Sequence, residues 1–232
     1  MEWFNKGEFM NNTLNKLLDE KLIAIIRNIS NKDILKTTEC LFNSGFHFIE
    51  VTFSSIDENV SKETLKNIEL LKKYYGNEIH IGAGTVLNIS DVKSAFDVGV
   101  EYIISPNVNV EVIEYTKKLR LISLPGAYTP SEAQLAYEKG ADIIKIFPAN
   151  KLGKEYFKAI KAPLSHLKLA AVGGISLNNV NEFLLSGADV VGIGNNLVNT
   201  DLIKEKRWEQ ITQTAKKYRD IVNNKGYVTT NS

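Results

Sequence analysis

The chain has 232 residues, 44% hydrophobic and 24% charged, and its 28 basic and 27 acidic residues leave a net charge of +1. That length buries a large core in a single domain spanning 1–232, and the balanced charge excludes a broad field for nucleic acid or a membrane surface. The lone cysteine, Cys40, excludes an internal disulfide and a multi-cysteine metal cluster and suits a reducing cytoplasm.

Met1 to Glu20 carries charges and asparagines without an apolar run, so neither a secretory leader nor a membrane span is expected there. Trp3–Glu20 reads instead as a helix closing one end of the fold. Short apolar runs then recur: Leu22–Ile26, Phe48–Val51, Ile79–Ile81, Tyr102–Ile104, Leu121–Leu124, Ile143–Phe147, Leu169–Val172 and Val190–Ile193. They are rich in Ile and Val, too short for a helical repeat, and end in turn-forming residues, which predicts strands. Between them, helical spacing covers Lys32–Phe42, Glu58–Tyr74, Ser90–Asp97, Val110–Lys118, Ser131–Glu138, Glu155–Ile160 and Asn178–Leu185, and Trp208–Asn223 closes the series. Pro130 after Thr129 and the pair Ser90-Asp91 are start signals. Gly45, Gly99, Gly140 and Gly187 are stop signals, each followed by a short spacer and a strand. Eight alternations without a long polar linker predict an α/β fold closed as a (β/α)₈ TIM barrel. An open doubly wound sheet would favour a glycine-rich turn after the first strand, where the chain reads Arg27-Asn28-Ile29-Ser30.

In such barrels the chemistry gathers at the carboxyl ends of the strands. Lys145 stands inside Ile143–Phe147, and a lysine is rarely buried without a partner or a purpose. Desolvation makes its neutral, nucleophilic amine accessible. Glu50 stands in the second strand, where alternation puts Phe48, Glu50 and Thr52 on one face. Facing inward, it carries protons to and from Lys145 and the substrate; a structural ion pair between the two is the plainer alternative. Gly173-Gly174 and Gly194-Asn195, after the last two strands, suit a phosphate cradle, although tight turns need glycine too. Arg27, at the end of the neighbouring first strand, is a candidate counter-charge. His47, His80 and His166 all fall before strands, at the opposite end, so no metal site is expected.

Seven blocks in order carry a family resemblance: FIEVTF, IGAGTV, ISPN, LPGAYTPSEA, GADIIKIFPA, AVGGIS and GIGNNLV. They resemble the 2-keto-3-deoxy-6-phosphogluconate / 4-hydroxy-2-oxoglutarate aldolase family, which are class I aldolases. The resemblance implies a cofactor-free homotrimeric lyase, which joins the cytoplasmic location expected from the single cysteine. It acts on a 4-hydroxy-2-oxo acid, often phosphorylated, and releases pyruvate and an aldehyde. By it, Lys145 takes the place of the Schiff-base lysine and Glu50 that of the proton-transferring acid. Thr85 matches a threonine that holds the substrate carboxylate, and Gly173 with Gly174 the phosphate-cradling pair. Ser54 departs from it, standing where the family often has a carboxylate-binding arginine, and a serine cannot replace a bidentate guanidinium. Val172 and Asn195 likewise stand where a threonine and a serine are common. Two rivals share the glycine loops: a phosphosugar isomerase or epimerase, and a non-catalytic phosphosugar-binding protein. Neither needs an inward amine and acid together.

Overall fold

The computed structural model describes residues 2–224, with side chains from Met10 onward. After helix α1 (Glu2–Glu20), strands and helices alternate. The strands are β1 (Leu22–Ile26), β2 (Phe48–Thr52), β3 (His80–Gly84), β4 (Tyr102–Ile104), β5 (Ile122–Leu124), β6 (Gly126–Ala127), β7 (Ile144–Ile146), β8 (Leu169–Val172) and β9 (Val190–Ile193). All pair in parallel, in the order β5-β4-β3-β2-β1-β9-β8-β7-β6.

The ends of that order meet. β5 and β6 are halves of one strand interrupted at Pro125, which has no N–H to give a ladder. The lower half pairs with β4 and the upper half with β7. Across the seam Ile143 donates its backbone N–H to Ser123 at 3.3 Å, and Lys145 donates to Pro125 at 2.9 Å. Counted this way the wall has eight strands, as the α/β barrel expectation required.

Period-two alternation sorts the side chains into two cores. Inside lie Ile23, Phe48, Tyr102, Ile104, Ile122, Leu124, Ile143, Ala170, Val172 and Val190. Leu17 of α1 is fully buried in this cluster, with Met10, Leu14 and Leu18 against it, so α1 plugs the barrel floor as expected. The alternate positions pack outward against the helices.

Three sequence expectations need correction. The third strand runs His80–Gly84 rather than Ile79–Ile81, because its Gly-Ala-Gly end is a poor strand signal whose use lies in what crosses it. His80 therefore opens a strand instead of preceding one. The fourth helix begins at Ile89 and is capped by Asn88, whose side chain accepts from the Asp91 N–H, not by Ser90. Two short helices, Ala149–Leu152 and Thr200–Lys204, have no periodic signal long enough to read. The Thr129 start is a full capping box with Glu132, and Gly45, Gly99, Gly140 and Gly187 all have positive φ.

Candidate active site

A pocket of about 370 Å³ opens at the carboxyl end of the strands. Arg27, Glu50, Thr85, Lys145, Gly173, Gly174, Gly194 and Asn195 all line it, so the structure brings together every residue singled out for substrate or chemistry. Lys145 is 7% exposed and Glu50 2%. Each has room to enter the barrel because its neighbours across the ladder are small. Lys145 is flanked by Gly126 and Ala170, and Glu50 has Gly82 on one side. The next inward position of β3 is Gly84, and a Cβ there would overlap the Glu50 carboxylate. Gly84 is thus a space left for an acid.

Burial dominates the ionisation of both groups. It raises Glu50 above the ordinary carboxylate range, against the opposing charges of Lys145 and Arg27. It lowers Lys145 below the ordinary amine range, with Glu50 opposing and Arg27 reinforcing. Among the described residues the two charges form no ion pair within 4.0 Å, and Glu50 Oε2 is buried without a hydrogen-bond partner. The plainer reading, a closed structural pair, is therefore not what the site contains. Lys145 Nζ lies 4.8 Å from the centre of the Phe147 ring, which walls one side of the amine.

Arg27 lines the pocket with the glycine loops and is tied to the turn after β3: its Nη2 donates to Thr85 Oγ1 at 3.1 Å. Thr85 itself has a φ of 58°, a left-handed conformation that is costly for a β-branched residue. Ser54 is absent from the pocket wall. Its hydroxyl accepts from the Ile56 and Asp57 N–H groups, at 3.3 and 3.0 Å, and so shapes the turn into the helix Glu58–Tyr75.

Gly173 and Gly174 have φ of 97° and 73°, values that favour glycine, and turn the backbone after β8. Asn196 also lines the pocket and ties the two loops together, donating from Nδ2 to the Ile175 carbonyl at 2.7 Å. Ile25, Phe147, Ile175 and Asn196 are wall residues the sequence did not single out for this role. The signal for Ile25 was its alternation with Ile23 and Arg27, and for Asn196 its place in the last motif. The histidines lie at the other end. His47 is 2.9 Å from Glu20, His80 is 2.5 Å from Glu101, and His166 is 3.1 Å from Gln134. Among the described residues no helix is long and apolar enough to cross a membrane.

Comparison with known proteins agrees with this geometry. The family model described as "Aldolase: KDPG and KHG aldolase" matches residues 13–214. The 2-dehydro-3-deoxy-6-phosphogalactonate aldolase of Escherichia coli (strain K12) is 32% identical over 202 residues, covering 87% of this chain and 96% of that protein. A probable 2-dehydro-3-deoxy-6-phosphogalactonate aldolase of Rhizobium meliloti (strain 1021) is 35% identical over 181 residues, covering 78% and 82%. Among solved structures, the KDPG aldolase of Legionella pneumophila with pyruvate captured at low pH as a covalent carbinolamine intermediate superimposes with a TM-score of 0.77. It is 29% identical, covering 85% of this chain and 93% of that one. The chain belongs to the KDPG and KHG aldolase family and is an aldolase, a carbon–carbon lyase.

Proposed function

We propose that the chain cleaves a phosphorylated 2-keto-3-deoxy sugar acid, of the 2-dehydro-3-deoxy-6-phosphogalactonate type, through a Schiff base on Lys145. The observation that carries this is a buried amine and a buried, unpaired carboxyl facing one pocket. The names of the two relatives above favour the galactonate over the gluconate epimer.

Neutral Lys145 adds to the C2 ketone, and Glu50, held toward its neutral form by burial, protonates the departing hydroxyl, so the carbinolamine loses water to give an iminium and Glu50 is left ionised. Glu50 takes the proton of the C4 hydroxyl. The C3–C4 bond breaks, its electrons pass into the iminium as an enamine, and the aldehyde leaves. The proton on Glu50 returns to C3, and water hydrolyses the resulting iminium to pyruvate and free neutral Lys145, the released proton going back to Glu50. Dividing one carbanion step into smaller ones is what covalent catalysis supplies. Arg27 and Thr85 hold the keto-acid carboxylate in this reading, the guanidinium from β1 standing in for the arginine missing at Ser54. Backbone amides around Gly173, Gly174, Gly194 and Asn195 hold the distal phosphate. A single cytoplasmic barrel domain, assembled as a homotrimer, completes the proposal, and light scattering measures the assembly.

Incubation with pyruvate and borohydride, followed by peptide mapping, tests it. The expected product is a reduced pyruvyl adduct on Lys145. An isomerase or a binding protein leaves the lysine unmodified, and either result ends the Schiff-base assignment. A panel of the two phosphorylated epimers and 4-hydroxy-2-oxoglutarate then ranks the substrates by kcat/KM.

A further inference from the structure

Tyr102 is the largest fully buried side chain in the barrel interior, and the chemistry proposed above makes no use of it. Its hydroxyl proton has no acceptor among the described residues; the Gly82 backbone N–H beside it faces only its oxygen. A buried hydroxyl whose proton finds no acceptor is destabilising, and a phenylalanine here would fill the same space without it.

The ladder explains where that hydroxyl goes. Glu50 of β2 is paired in register with Gly82 of β3, and Gly82 with Tyr102 of β4. The three form one row across the wall, and the middle position has no side chain. The Tyr102 ring lies across Gly82: a Cβ there would overlap Cε2 and Cδ2, with Cζ next. The hydroxyl beyond Cζ is thereby carried over β3 toward β2. From the other side the Glu50 carboxyl leans over Gly84, two residues along the same strand. Tyr102 Oη, without an acceptor, and Glu50 Oε2, without a donor, thus belong to side chains that lie over successive inward positions of the glycine strand.

We propose that Tyr102 is a positioning residue for Glu50, its phenol donating a hydrogen bond to the carboxylate when Glu50 is ionised to act as base. This rests on Glu50 as the proton carrier. The groups facing Glu50 are then Lys145 from β7, Arg27 from the end of β1, Thr85 from the turn after β3, and Tyr102 from β4. Those around Tyr102 are Glu50, His80 beyond the Phe48 ring, and the more distant Glu101 and Glu20. Burial and the Glu50 charge hold the phenol well above the ordinary tyrosine range, so it remains a donor at every working pH. Lys145 and Arg27 attract the carboxylate from the pocket side, and a donor from the barrel interior fixes its other oxygen.

Tyr102→Phe tests this in the full chain, removing one oxygen and keeping the ring. A donor to the carboxylate lowers its pKa, so losing the donor raises it. The acidic limb of kcat against pH is expected to move up by about one unit, with KM little changed and borohydride trapping of Lys145 intact. Replacing Tyr102 with a difluorotyrosine, a stronger donor of nearly the same size, should move the limb the opposite way, and answers the question if the phenylalanine variant folds poorly. A limb that stays in place in both variants overturns the inference, the more so if Tyr102→Phe is also thermally stabilised. Glu50→Gln in parallel separates the failures. If it loses activity while the tyrosine variants behave as wild type, only the Tyr102 role falls; if it is fully active, the Glu50 reading beneath falls first.

Discussion

The barrel holds buried acid–base groups at both ends, and they are arranged in opposite ways. At the floor, Glu101 is shared by three partners: Lys72 Nζ at 3.0 Å, His80 Nδ1 at 2.5 Å and the Thr13 hydroxyl at 3.3 Å. Burial alone would raise this carboxyl, but His80 and Lys72 outweigh it and hold it below the ordinary range. At the mouth, Glu50 and Lys145 are more deeply buried and stand apart, and each shifts toward its neutral form. Contact makes charges stable and inert; separation in a dry site leaves an acid and an amine ready to exchange protons. The two ends differ in burial and in the distance at which the fold holds the partners.

Substitutions can break that contrast, starting at the mouth. Lys145→Ala removes the covalent step, and turnover should fall by roughly 10⁴-fold or more, with no borohydride adduct in the barrel. Glu50→Gln keeps the shape and part of the imine formation but should slow turnover by roughly 10²–10⁴-fold, measured with the phosphorylated substrate at saturation. Arg27→Met sharpens the assignment of the pocket's two ends. A loss of about 10–100-fold in KM for phosphorylated and unphosphorylated keto acids alike places the guanidinium at the carboxylate. A loss confined to phosphorylated substrates returns it to the glycine loops.

The floor should respond in stability and not in chemistry. Glu101→Gln leaves His80 and Lys72 facing a neutral amide, and should cost about 2–3 kcal/mol, roughly 5–10 °C in Tm, with kcat unchanged. The pH dependence has a definite sign. A carboxyl held below its unfolded value stabilises the fold above that value and loses the contribution as pH falls through the folded one. Wild type should therefore lose stability below about pH 4.5 more steeply than the variant. Equal acid sensitivity would mean that the floor cluster is not a charge-paired unit.

Much of this contrast was legible in the residues before any coordinates. A lysine and a glutamate inside runs of Ile, Val and Phe stand out, because nothing else in those strands is charged. The alternation of Phe48, Glu50 and Thr52 already pointed the acid inward. The helix ends were legible where a Pro or a Gly marks them. Hidden were the features whose meaning comes from a neighbouring strand. Gly82 and Gly84 look like strand breakers in one dimension and act as room for Tyr102 and Glu50 in three. Tyr102 looks like core, and only the register shows it beside an acid. Arg27 was rightly drawn to the site, but its hydrogen bond to a residue 58 positions away could not be read from spacing. Ser54 marked a missing cation without saying what replaced it.

Pro125 has a further consequence. It withholds one amide from the strand on which the barrel closes, and its carbonyl receives the backbone N–H of Lys145. The residue proposed to bond covalently to substrate is therefore stitched into the very join that turns an open ribbon into a tube. Loosening the join would misplace the nucleophile before it unfolded anything else, so catalytic competence should report on closure more sensitively than any measure of helix content.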